Sequence, residues 1–320
     1  MKKWLNEFLD RWVILISSLS LGRNRYFQKS IDSPGFKEHI RGVSLEPPHV
    51  TGQGLYPVAG ETLAGLQETN VVVRLWKGLE VPTIFYQHGN IERPFDLYPL
   101  RENLIERIFY PDALHLPDYN LILIRSYIDG KVQDHFDKMQ HLNHFMAKLA
   151  FYCVLEEKIM KSLQPGKKNR KTQAGFILAG TGFGGTVVNL HRTYFNTADA
   201  YVPILAGADP GNVFMESSYR RMTGRLARKN KSQVSSRLNF ENDFIRVMSH
   251  NVHPILALYD RVAVYQHQSR AYETKPINAI PRGHYTGFTD TAAIRSHLLT
   301  VIEEVKRPSG PGPADRWASW

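Results

Sequence analysis

Three polar groups stand at the ends of apolar runs, in an order that suits acyl-transfer chemistry. TIFYQ (83–87) runs into His88-Gly89-Asn90, a turn whose bare glycine lets the Asn90 N–H face an oxyanion. HPILALYD (253–260) ends in Asp260, and IPRGHYTGF places His284 on a glycine-flanked loop before the last helical pattern. An aspartate that orients an imidazole, and an imidazole that moves a proton, form two members of a nucleophile–base–acid set. The place for the third is FILAGTGFGGTVVNL (176–190), with four glycines in six residues: Gly180, Gly182, Gly184 and Gly185.

So much bare backbone has two explanations. As G-x-G-x-x-G, Gly180, Gly182 and Gly185 would let a pyrophosphate approach a helix N-terminus. That reading wants the loop after the first strand and an acid at the end of the next. Here at least three strands precede it, and the candidate acid, Asp209, comes 24 residues after Gly185. As a strand-to-helix elbow of the G-x-S-x-G kind, the segment wants an oxyanion donor upstream and then an acid and a histidine downstream. Each is present, in the chain order Gly182, Asp260, His284.

The ordered set resembles the α/β-hydrolase superfamily over roughly residues 50–305. The resemblance implies about eight strands, a helical cap after the sixth, and hydrolysis of esters, thioesters or amides. It implies an oxyanion hole from the N–H groups of Asn90 and Phe183, with His88, Gly89, Gly180, Gly184 and Gly185 supporting the two turns. The departure falls on the nucleophile: Gly182 stands where the pattern has serine, so there is no hydroxyl to deprotonate. Thr181 flanks the apex and should point elsewhere, and Thr186 lies inside the following helix.

These groups need a frame that brings distant segments to one edge. NVVVRLW (70–76), TIFYQ, NLILIRSY (120–127), GFILAG (175–180), AYVPILAGA (200–208), HPILALYD and INAIP (277–281) are short apolar runs of the kind that buried strands show. Helical patterns cover 131–163, GGTVVNLHRTYF (184–195) and TAAIRSHLLTVIEEV (291–305). Alternating strands and helices predict an α/β fold: a mostly parallel central sheet with helices on both faces and ligands at the carboxyl ends of the strands. The expected organisation is an N-terminal amphipathic helix and lead-in over 1–49, the main domain over 50–305 with a cap insertion at about 212–250, and a Pro- and Gly-rich tail over 306–320, expected to be disordered.

The formal charge of +10 is uneven. Residues 217–240 carry Arg220, Arg221, Arg225, Arg228, Lys229, Lys231 and Arg237 with no acid, either a solvated face or a patch for an anionic partner. No nucleic-acid motif accompanies it, and no nucleic-acid partner is expected. In the first helix Trp4, Leu5, Phe8, Leu9, Trp12 and Ile16 form an apolar stripe, expected to pack on the domain or to lie on a membrane surface. Its apolar part is too short to span a bilayer, and Glu7 and Asp10 spoil a signal-peptide pattern. The expected location is cytoplasmic, with peripheral membrane contact as the variant. The single cysteine, Cys153, has an apolar context and reads as core. Asp137, His141 and His144, with His135 nearby, have helical spacing that a metal can use, but core-edge histidines are the better reading, as are His250 and His253 ahead of a strand. No metal or cofactor is expected.

Three functions compete. The first is a hydrolase-derived protein that keeps its pocket, has lost its nucleophile, and binds a small ester-like ligand. The second is a hydrolase in which His284 and Asp260 activate water directly. The third is an oxidoreductase holding a dinucleotide at 180–185.

Overall fold

A computed structural model describes residues 2–22, 24–88, 104–110, 118–125, 137–164, 174–272 and 275–306. One nine-stranded sheet organises them, with the strand order β1-β2-β3-β5-β4-β6-β7-β8-β9. The strands are β1 (Ser44–Leu45), β2 (Gly54–Thr62), β3 (Gly65–Leu75), β4 (Thr83–Gln87), β5 (Asn120–Ile124), β6 (Phe176–Thr181), β7 (Ala200–Ile204), β8 (Ile255–Ala257) and β9 (Asn278–Ile280). From β5 through β9 every neighbouring pair is parallel, whereas β1, β2 and β3 join the β5 edge antiparallel. The expected α/β architecture is therefore present.

The central strands are buried on both faces, which is why they read as unbroken apolar runs. Alternate residues feed two cores. Phe85, Ile122 and Leu178 meet the helices α2 (Leu142–Leu163) and α3 (Phe183–Tyr194). Ile84, Leu121 and Ile177 meet helix α4 (Thr291–Lys306) on the other face. Burying one such aliphatic side chain contributes about 1.5–3 kcal/mol, so the two cores hold the central strands rigid.

Two boundaries differ from expectation for visible reasons. The helical pattern over 131–163 is interrupted: residues 137–139 are helical, the long helix starts at Leu142, and residues 126–136 lie outside those described. Segment 27–30 is the cause: Phe27 N–H donates to Met139 O, Lys29 N–H to Gln140 O, and Leu142 N–H to Ser30 O, which draws Gln140 and His141 out of helical geometry. The run 253–260 forms a strand only over Ile255–Ala257, so Asp260 lies in the turn beyond it. The antiparallel β2 was not anticipated, because Pro57 and scattered glycines blur its alternation.

Between β7 and β8 the chain forms short helices, Pro210–Glu216, Arg225–Lys229, Lys231–Leu238 and Glu241–Ile245. Buried Arg192 of α3 anchors the end of this segment by donating to the carbonyls of Phe244, Val247 and Ser249. Three carbonyl acceptors offset much of the cost of burying the guanidinium.

The first helix, α1 (Lys3–Leu21), turns the wrong way for the expected packing. Its buried residues are Asn6, Asp10, Ile14 and Ser18, while Trp4, Phe8, Trp12, Ile16 and Leu19 are exposed. The apolar stripe does not pack on the domain; the polar face does.

Candidate active site

Strand β6 ends at Thr181, helix α3 begins at Phe183, and Gly182 alone makes the turn, with φ +55° and ψ −108°. That left-handed backbone favours glycine and strains other residues. Its N–H donates to Ile204 O at 2.9 Å, and Thr186 N–H donates to its carbonyl at 3.0 Å. The neighbouring glycines are consumed by packing. A Cβ on Gly184 would overlap the Gln87 carbonyl, one on Gly180 would lie 2.6 Å from the Gly184 carbonyl carbon, and one on Gly185 would lie 2.7 Å from Ala206 Cβ. The bare backbone lets the turn press against β4 and β7.

Beside the turn, His284 Nδ1–H donates to Asp260 Oδ2 at 2.7 Å. The carboxylate acceptor places the proton on Nδ1, and Nε2 has no partner among the described residues. Asp260 is fixed in turn by the N–H groups of Val262 (2.6 Å) and Ala263 (2.8 Å), which donate to its Oδ1. Both partners are buried. Burial disfavours the charged imidazole, but the Asp260 carboxylate, with Asp10 behind it, outweighs burial and holds His284 above the usual histidine range.

Asp10 is the residue that sequence reasoning missed. Reaching in from α1, its Oδ2 accepts from His284 N–H (2.9 Å) and Arg261 N–H (2.9 Å), and its Oδ1 accepts from Tyr285 N–H (3.1 Å). Asn6, one turn earlier, accepts from Gly283 N–H at 3.0 Å and from the Thr286 hydroxyl. One face of α1 thus holds the backbone of both loops that carry the Asp260–His284 pair. A signal existed in the polar repeat 6, 10, 18 inside an apolar helix, but nothing local says what it would meet some 250 residues on.

A cavity of about 540 Å³ opens in front of these groups. Gly182, Phe183 and His284 line it together with Phe145, Phe214, Met222 and, from α1, Ile16 and Ser20. Such a volume suits a small organic ligand. Phe288 also lines it, with its ring 4.9 Å from the His284 ring, and a Cβ on Gly182 would lie 3.3 Å from Phe288 Cζ.

The same architecture occurs in solved structures. Acetyl xylan esterase 1 from Thermoanaerobacterium sp. JW/SL YS485 superposes with a TM-score of 0.51 at 12% identity, covering 87% of this chain and 96% of that one. Acetyl xylan esterase from Paenibacillus sp. R4 gives 0.50 at 12% identity, covering 90% and 99%. The chain has the α/β-hydrolase fold. No protein-family model matches the sequence, and no curated protein does.

Within the α/β-hydrolase fold, the structure brings Gly182, Phe183, Asp260 and His284 to one edge of the sheet. His88 lies buried just past β4, whereas Gly89 and Asn90 fall outside the described residues. Phe183 is the first residue of α3, so its N–H has no partner within the helix. The threonines are spoken for: Thr181 Oγ1 bonds the Tyr86 hydroxyl, and Thr186 Oγ1 donates to Gly182 O at 3.3 Å. Packing accounts for Gly180, Gly184 and Gly185, and Asp209, the acid a dinucleotide loop would need, caps helix Pro210–Glu216 by accepting from Asn212 N–H at 3.0 Å.

The remaining candidates lie elsewhere. His141 and His144 rings are 5.6 Å apart at the start of α2, Asp137 accepts from Gln140, and His135 is outside the described residues. His250 meets Lys275, and His253 meets Glu304. No group of three metal-ligating side chains occurs among the described residues. Cys153 is buried, and burial pushes its thiol well above the usual range, which removes it as a nucleophile.

Proposed function

We propose that Gly182, Asp260 and His284 occupy the nucleophile, acid and base positions of a hydrolase site that has lost serine chemistry and binds a small ester-like or acyl ligand. One observation carries this reading: Gly182 keeps the elbow backbone without a side chain, and a Cβ added there would press on the Phe288 ring at 3.3 Å. The cavity walls are mainly apolar, with His284 and the start of α3 among the lining. There the Phe183 N–H and the imidazole can receive a carbonyl or carboxylate oxygen. Two proteins that share the fold are named acetyl xylan esterases, and small esters are the natural first ligands to try.

A second reading rests on the intact His284–Asp260 pair. With Nε2 free of partners among the described residues, His284 is placed to take a proton from a water that attacks a bound ester, while Phe183 N–H stabilises the oxyanion. General-base and electrostatic help together remain worth several kcal/mol without a covalent step. Turnover of a panel of p-nitrophenyl esters separates the two. The binding reading expects no hydrolysis above the uncatalysed rate, together with saturable binding of esters or fatty acids that raises the melting temperature. Hydrolysis abolished by His284→Ala establishes the second reading instead.

A further inference from the structure

Helix α1 is amphipathic with its faces reversed. Trp4 (63% exposed), Phe8 (53%), Trp12 (49%), Ile16 (46%) and Leu19 (71%) recur at four- and three-residue spacing and form one outward stripe. Phe8 and Trp12 stack on each other, with ring centroids 6.1 Å apart, rather than on the domain. A helix held by apolar burial would turn this stripe inward. Here the hold comes from Asn6 and Asp10, whose hydrogen bonds to the 260–286 loops fix the helix with its stripe facing out.

Charge lies beside the stripe. Arg25 follows α1 directly and donates to the Arg221 carbonyl at 3.0 Å. Arg220, Arg225 and Arg228 gather with it. Burial and then the charges of Arg25, Arg220 and Arg225 hold the Arg228 guanidinium below its usual value. Among the described residues no carboxylate forms an ion pair with any of these four. An unneutralised cationic cluster at the C-terminal end of a helix that exposes two tryptophans is complementary to an anionic lipid headgroup layer. No helix among the described residues is long and apolar enough to cross a membrane, so α1 is suited to lie on one.

We propose that α1 docks the protein on an anionic membrane surface, with the tryptophan stripe in the headgroup–acyl boundary and the arginine cluster on the headgroups. The geometry gives docking a consequence. Ile16 is exposed in the stripe and also lines the cavity, so docking through the stripe brings the cavity lining to the lipid surface. An apolar ligand then passes between bilayer and cavity without crossing water. The inference stands whether the cavity binds its ligand or hydrolyses it.

Flotation with vesicles tests this, using phosphatidylcholine alone and an equimolar mixture with phosphatidylglycerol. The full chain should float with the mixed vesicles and remain mostly free with phosphatidylcholine, with emission from the exposed Trp4 and Trp12 shifting blue on binding. Trp4→Ser with Trp12→Ser should abolish flotation while leaving the circular dichroism spectrum intact. Arg220→Gln, Arg225→Gln and Arg228→Gln, at about fivefold each, should together weaken binding to mixed vesicles about a hundredfold. Failure of the wild-type chain to float, absence of the blue shift, or flotation unchanged by the tryptophan substitutions would overturn the proposal. So would a lipid-free dimer that the tryptophan substitutions convert to monomer without any vesicle binding, which would make the stripe a contact between two copies of the chain.

Discussion

A Cβ on Gly182 would lie 3.3 Å from Cζ of Phe288, and the next nearest atom, Cε1 at 3.9 Å, belongs to the same ring. The glycine and the phenylalanine therefore form a pair: one leaves a space at the apex of the turn and the other stands against it. Restoring a side chain at 182 meets both a left-handed backbone and an aromatic edge.

That pairing predicts the outcome of an obvious repair. Gly182→Ser should lower stability by about 1–3 kcal/mol through backbone strain and yield little esterase activity, because the hydroxyl shares its space with Phe288. Adding Phe288→Ala should free the hydroxyl to reach His284 and raise p-nitrophenyl acetate hydrolysis at least tenfold over Gly182→Ser alone. Equal activity in the single and double variants would show that Phe288 does not obstruct the position.

Asp10 makes a second prediction. Asp10→Ala leaves three backbone N–H groups without their acceptor, that of His284 buried and those of Arg261 and Tyr285 part-buried. The expected loss is about 3 kcal/mol in urea denaturation, and Asp10→Asn, which keeps one acceptor oxygen, should lose less. A change under about 0.5 kcal/mol for the alanine variant, the range of an ordinary surface substitution, would mean that α1 is not fastened through this residue.

The pH dependence follows from His284. Its folded pKa is raised, so its charge contributes stability fully below the unfolded value of about 6.5 and loses it as pH rises through the higher folded value. The stability advantage of wild type over Asp260→Asn should thus be largest in mildly acid solution and shrink on the alkaline side of neutrality. In NMR titrations the His284 ring should protonate above the usual range in wild type and fall back in Asp260→Asn; a wild-type ring titrating at or below that range would contradict the assignment. An anionic ligand at the imidazole should bind more weakly as pH rises, whereas water activation would strengthen over the same interval.

The sequence made the sheet and most of the candidate site legible because both are written locally. Unbroken apolar runs such as TIFYQ and FILAGT mark strands buried on two faces, and Asp260 and His284 follow such runs closely. The orientation of α1 was not legible. Helical periodicity reveals that a stripe exists but not which way it faces, and here Asn6 and Asp10 find partners only at 260–286. Phe288 was equally silent, since its meaning depends on a glycine more than a hundred residues earlier. The glycines themselves were ambiguous because phosphate loops and tight elbows both need bare backbone. The contacts of Gly180, Gly184 and Gly185 with β4, β7 and one another account for them by packing.

The central claim, a hydrolase-derived cavity that binds without serine chemistry, is tested most directly by ester turnover in wild type and His284→Ala side by side. The account predicts that both hydrolyse p-nitrophenyl esters at the uncatalysed rate, while wild type alone shows a ligand-dependent rise in melting temperature. Wild-type turnover well above background that His284→Ala removes would contradict it.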